Sequence, residues 1–245
     1  MSKQYKNPPI TEVVCEFRFE LENTFDLEVV DLFFDEIKEK FPKKKKGQLY
    51  QAEFKIDAKE KKQELSSKII REFDQFFSKD EKTLIQLDKG RLSIHKLKPY
   101  SSWREFYQLI NLAFNSYIKN IKVKSIQRVG LRYINNFEIP LSTFDIEQYF
   151  NLRPVMGEGL PQDLVSFMVG TIFVFENRRD NIKVQLIDRL AAPNKTVFVL
   201  DMDYFLVNPD SIQINEIAQW ITNAHKNVEN VFEASLTEKT KLLFD

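Results

Sequence analysis

The chain has 245 residues with 36 basic and 36 acidic side chains, so no net charge draws it toward nucleic acid or a membrane surface. Two histidines, one cysteine and six glycines exclude most recognisable chemistry. No thiolate zinc site, Walker loop or GxGxxG turn can be built, and any Ser-His-Asp or Cys-His arrangement would have to use His95 or His225.

The 22 phenylalanines point to a folded globule, each side chain worth about 1.5–3 kcal/mol when fully buried. The start, MSKQYKNPPI, has no apolar leader, no stretch approaches 18 uninterrupted apolar residues, and one cysteine permits no intrachain disulfide. The expectation is a soluble cytoplasmic protein without a membrane partner.

In chain order, Thr11–Leu21 alternates: Val13, Cys15, Phe17, Phe19 and Leu21 share one side, while Glu12, Glu16, Arg18 and Glu20 share the other, as in a half-buried strand. Asp26 can cap a helix carrying Leu27, Val30, Phe34, Ile37 and Phe41, and Pro42 stops it. Lys43–Lys46 and Gly47 read as a basic loop, followed by a second strand through Tyr50, Ala52, Phe54 and Ile56. Residues 59–64 read as a charged linker. Residues 65–77 stay open between helix and strand: Ile69, Ile70, Phe73, Phe76 and Phe77 have helical spacing, yet SKDEK followed by TLIQL looks like a hairpin.

Leu84–Leu87, the Asp88-Lys89-Gly90 turn and Leu92–Leu97 predict a hairpin. Ser102 and Glu105 form a capping box for a helix with Trp103, Phe106, Leu109, Ile110, Ala113 and Tyr117 in its stripe. A strand over Ser125–Glu138 follows, then a short helix over Asp145–Phe150. Three strands near 164–176, 182–190 and 196–206 precede a last helix with Ile217, Trp220, Ile221, Ala224, Val228 and Val231. The pattern predicts an α+β fold: mainly antiparallel sheet with long helices packed on one face, and a degenerate duplication of a meander-plus-helix unit. Residues 1–140 and 141–245 form the two halves, packed as one unit.

Four segments occur in order: NPPITEVVCEFRFEL, LKPYSSWREF, QRVGLRYINNFEIP and NAHKNVENVFEASLT. Together they resemble a sporadically distributed prokaryotic family of unknown function, known by its opening and closing segments. The resemblance implies a cytoplasmic protein of patchy occurrence, as is often seen for mobile or defence-associated genes, and it supplies no catalytic set. It also favours strand for 69–77, against the spacing.

Three constellations can carry chemistry. Arg128, Gly130 and Arg132 share one face of their strand, opposite Val129, Leu131 and Tyr133, and Arg18 sits beside Glu16 on the polar face of the first strand. If these strands are neighbours, their guanidiniums can fork onto a phosphate or carboxylate, or simply form cross-strand ion pairs. Asp201 and Asp203, at i and i+2, can hold a divalent cation or mark a strand end in solvent. Lys43, Lys44, Lys45 and Lys46 can grip phosphates, although the aromatic interleaving of single-strand platforms is thin there.

Elsewhere His225, Glu229 and Glu233 share a helical face and read as a polar stripe, and Cys15 reads as an inert small hydrophobe. The leading expectation is a non-enzymatic module for a small anionic ligand or a partner protein, with no cofactor and a possible homo-oligomeric state. A metal-dependent phosphodiesterase or nuclease using Asp201 and Asp203 is the competing one, and nucleic-acid binding through Lys43–Lys46 is the third.

Overall fold

The computed structural model describes residues 5–22, 25–57, 62–140, 146–161, 166–192 and 195–245. Its strands are β1 (Ile10–Leu21), β2 (Lys43–Asp57), β3 (Lys62–Phe77), β4 (Thr83–Asp88), β5 (Arg91–Leu97), β6 (Val123–Pro140), β7 (Met168–Phe175), β8 (Asp180–Ala192) and β9 (Lys195–Leu206). They form a nine-stranded sheet, ordered β2-β3-β4-β5-β1-β6-β9-β8-β7, in which every pairing is antiparallel. Helices α1 (Leu27–Ile37), α2 (Trp103–Asn120), α3 (Ile217–Ser235) and the short α4 (Glu238–Lys241) complete an α+β protein. Among the described residues no helix is long and apolar enough to cross a membrane.

Alternation of side chains across a strand converts the sequence pattern into two different sheet faces. On the apolar side, one row crosses seven strands: Phe76, Ile85, Ile94, Cys15, Leu131, Tyr204 and Ile182 lie abreast, and each is at most 1% exposed. A thiol suits the middle of this row because it is small and apolar. Burial pushes the Cys15 thiol well above its ordinary range, which keeps it in the protonated, apolar form that packs in a core. Aromatic rings from the helices meet this side. Phe33 and Phe34 of α1 pack on Phe76, Phe114 and Tyr117 of α2 on Phe17 and Phe19, and Trp220 of α3 on Tyr204.

The two central strands are β1 and β6. Outward from β1 come β5, β4, β3 and β2; outward from β6 come β9, β8 and β7. Residues 1–140 and 141–245 share this one sheet, since β6 pairs with β1 along one edge and with β9 along the other, from Gly130↔Phe205 to Pro140↔Lys195.

Local signals are mostly realised. Asp26 caps α1 by accepting from the Val29 N–H at 3.1 Å, and Ser102 caps α2 by accepting from Glu105 N–H at 3.3 Å. The capping box is only half formed, because the Glu105 carboxylate takes the Ser101 hydroxyl instead of reaching back to the cap.

Lys43–Lys46 is not a loop. The four lysines open β2, paired with Phe77 to Asp74 of β3, since an antiparallel partner supplies the backbone bonds that a charged segment cannot signal by itself. Residues 62–77 are strand throughout, and Ile69 and Ile70, counted in the helical spacing, are 42% and 51% exposed. The short helix before Phe150 is a single 3-10 turn, Ile146–Gln148. The readings at residues 59–61, Asp145 and 162–165 lie outside the described residues.

The β4–β5 hairpin turns through Lys89 and Gly90. Gly90 has φ +75°, its carbonyl accepts from Phe19 N–H at 2.7 Å, and a Cβ there would overlap the Phe19 carbonyl oxygen. Gly90→Ala is therefore expected to cost more than about 1 kcal/mol in urea unfolding, whereas Lys89→Ala at the exposed neighbour should change stability by less than about 0.5 kcal/mol.

Candidate functional site

The polar side of the sheet is built from the same registers. Arg18 lies directly opposite Arg91 of β5 on one side and Arg128 of β6 on the other, so three guanidinium-bearing residues stand abreast on adjacent strands. Like charges in directly opposed positions repel. One row along, Ser93, Glu16 and Gly130 lie abreast, and Glu16 supplies the compensation. Its carboxylate accepts from Arg18 Nε at 2.8 Å, from Arg128 Nη1 at 3.1 Å and from Arg91 Nη2.

Glu16 is only 9% exposed. Burial by itself would raise its carboxyl, but Arg91, Arg18 and Arg128 more than offset this and hold it below the usual carboxylate range. Gly130 has a specific part in the geometry. A Cβ at this position would overlap Nη1 of Arg128, so the bare backbone lets that guanidinium lie flat and reach both Glu16 and Asp203.

Strand β9 brings the sequence-predicted carboxylates to this same surface. Asp203 accepts from Arg128 Nη2 at 2.8 Å, and Asp201 takes a fork from Arg132, with Nε at 2.8 Å and Nη2 at 2.6 Å. Burial raises the Asp203 carboxyl above its ordinary value despite Arg128 beside it. His95 of β5 completes the rim, with Nδ1 2.8 Å from Glu12 and Nε2 3.0 Å from Ser93.

The result is a shallow depression of about 250 Å³, lined by the four arginines 18, 91, 128 and 132 against the three carboxylates of Glu12, Glu16 and Asp203. The side chains of Arg18 and Arg132 are 48% and 46% exposed, while Arg128 is 20% exposed and pinned between two carboxylates.

Arg18, Arg128, Arg132 and Glu16 thus converge, and Asp201 and Asp203 join them. The polar residues that sequence reading did not bring to the site are Arg91, Ser93 and His95 of β5 and Gln86 of β4. The signal for the β5 residues was the polar alternation Arg91, Ser93, His95 in the second arm of the hairpin, which becomes informative only once that arm is known to lie beside β1.

The lysines of β2 lie elsewhere: Lys43 pairs with Glu81 at 2.7 Å, Lys44 with Asp31 at 2.7 Å and Lys46 with Asp74 at 2.8 Å, and Lys45 sits over the Phe77 ring. His225 stacks on Trp103 with ring centres 3.9 Å apart and bonds Tyr133 Oη at 3.0 Å, with Glu229 at 3.2 Å. Glu233 turns instead to the Tyr5 hydroxyl and Lys241. Among the described residues no group of three His, Cys, Asp or Glu is placed to hold a metal ion. No known family model matches the chain, and no curated protein matches it.

Two outcomes follow from this electrostatic design. Because Glu16 titrates lower when folded, the stability it contributes is present above its unfolded value near 4.3 and is lost as pH falls through the lower folded value. Glu16→Gln should therefore destabilise the protein by about 3 kcal/mol at neutral pH, with the gap to wild type closing below about pH 4 in urea titrations. Gly130→Ala should leave stability within about 1 kcal/mol, since a flexible side-chain end can move aside, while displacing Arg128; a shift of the Arg128 Nε–H resonance in the NMR spectrum would report it.

Proposed function

We propose that this chain is a binding module whose polar sheet face recognises an anionic group, a carboxylate or phosphate carried by a small ligand or partner protein. The observation that carries the reading is the row Arg91–Arg18–Arg128, whose three guanidiniums converge on the carboxylate of Glu16, with Asp203 also on Arg128 and Asp88 directly opposite Arg91. Three guanidiniums carry more N–H donors than these carboxylates take up, and the buried Nε of Arg91 has no hydrogen-bond partner, so an added anion gains charge-assisted hydrogen bonds without first opening every existing pair. Arg18 and Arg132, the two half-exposed guanidinium side chains, are the first contacts, and Arg128 and Gly130 shape the floor.

The architecture supports the same reading. Aromatic contacts from α1, α2 and α3 all fall on the side of the row through Cys15, which fits long helices gathered on one face and leaves the arginine face open. In chain order, β3-β4-β5 followed by α2, set against β7-β8-β9 followed by α3, fits a degenerate duplication, with β1 and β6 and hence the site at the junction of the two units. Two of the four segments that resemble the sporadic prokaryotic family are the ones that build β1 and β6, which fits membership with the binding face as the shared feature.

Asp201 and Asp203 are already engaged by Arg132 and Arg128, and three of the four β2 lysines by carboxylates, so the binding reading is preferred to metal-dependent hydrolysis and to nucleic-acid binding. Thermal melting with inorganic phosphate or citrate as the anion probe tests it. Wild type should show a saturable rise in Tm with at least one probe, and Arg18→Ala and Arg132→Ala should weaken that response about tenfold or more while remaining folded. No rise beyond that produced by sodium chloride at matched ionic strength would refute the proposal.

A further inference from the structure

The two edges of the sheet are built differently. At one end, β2 begins with four consecutive lysines, a usual device for keeping an edge from pairing with another chain. At the other end, β7 reads MVGTIFVF and carries no charged residue. Met168, Ile172, Phe173 and Val174 on it are 68%, 56%, 43% and 57% exposed.

Among the described residues no strand pairs with the outer side of β7, so the backbone of this edge is also open. Asp188 N–H donates to the Phe167 carbonyl, which places the odd-numbered residues of this segment in hydrogen-bonded pairs with β8. In an antiparallel ladder the donor and acceptor groups of alternate residues point to opposite sides. Met168, Gly170, Ile172 and Val174 therefore turn their N–H and C=O groups to the open edge.

From these features we infer that β7 is the interface of a symmetric homodimer, two copies joining edge to edge in an antiparallel β7–β7 pair centred on Thr171. In that register Gly170 of each copy lies opposite Ile172 of the other, and Met168 opposite Val174, all as hydrogen-bonded pairs. The missing side chain of Gly170 leaves room for the isoleucine. The exposed stripe of Met168, Ile172 and Val174 on each copy then merges into one apolar surface across the junction.

Charge selects the occupant. Self-pairing of β7 brings no charge to the interface, whereas β7 against the β2 edge of a second copy would bring the lysine run Lys43–Lys46 against an apolar strand. Like-with-like pairing also closes after two copies, while β7-to-β2 pairing would run on as a filament. The inference is independent of the anion site, which lies at the centre of the sheet.

Light scattering on the size-exclusion-purified full chain tests it. Wild type should give twice the chain mass, and Ile172→Lys should halve it with an unchanged far-UV circular dichroism spectrum. Thr171→Cys provides a second, positive readout. A residue facing its own copy across a non-hydrogen-bonded pair has Cα atoms about 4.5 Å apart, within disulfide range. Cys15 is buried, so a covalent dimer on a non-reducing gel would report residue 171. Should Ile172→Lys fail to fold, the cysteine variant decides alone. A wild-type mass of one chain at every soluble concentration overturns the inference, including the case where a foreign strand occupies the edge. So does a dimer that Ile172→Lys leaves intact and Thr171→Cys does not cross-link.

Discussion

Everything distinctive about this molecule depends on the register in which β1 pairs with β6. Cys15 opposite Leu131 sets the buried row, and Arg18 opposite Arg128 sets the charged one, three positions along on the other face. A slip of one residue would drive the arginines into a core of phenylalanine and put Val13, Cys15 and Phe17 in water. The strong contrast between the two faces of both strands is what excludes that slip. The fold and the candidate site are two sides of a single pairing decision.

The charged face is an arrangement of mutual constraint. Arginines placed abreast would repel, and Glu16 relieves this only because burial and geometry give it three guanidiniums at once. Isolated exposed pairs such as Lys38–Asp35 contribute little to stability, since solvent screens them and two flexible side chains must be held still. Glu16 differs because it is desolvated and shared. The same sharing leaves donor capacity unused, as at the buried Nε of Arg91, and this is the basis of the proposed anion recognition.

The centre and the margins of the sheet obey different rules. At the centre, charged side chains pair with one another across neighbouring strands. At the β7 margin the backbone itself is unsaturated and the side chains are apolar, whereas lysines guard the β2 margin. A sheet with one guarded and one unguarded edge is asymmetric in a way that restricts how copies can meet.

Much of this was legible in the residues themselves. Period-two alternation marked β1, the β4–β5 hairpin, β6 and the last meander, and it assigned Arg18, Glu16, Arg128 and Arg132 to polar faces. Asp26 and Ser102 announced their helices because a cap is a contact over three residues. The segment at 62–77 and the lysine run resisted reading because their strand character comes from each other: Lys44 meets Phe76 and Lys46 meets Asp74 only when two distant stretches pair.

The sequence by itself determined which residues alternate, where chains turn, and which side chains stand on the polar faces of β1 and β6. Only the tertiary structure decided that Arg91 stands beside Arg18 and that Asp203 meets Arg128. The reason is physical: alternation is a local property of one strand, while neighbourhood in a sheet is settled by long-range pairing that buries the shared apolar face.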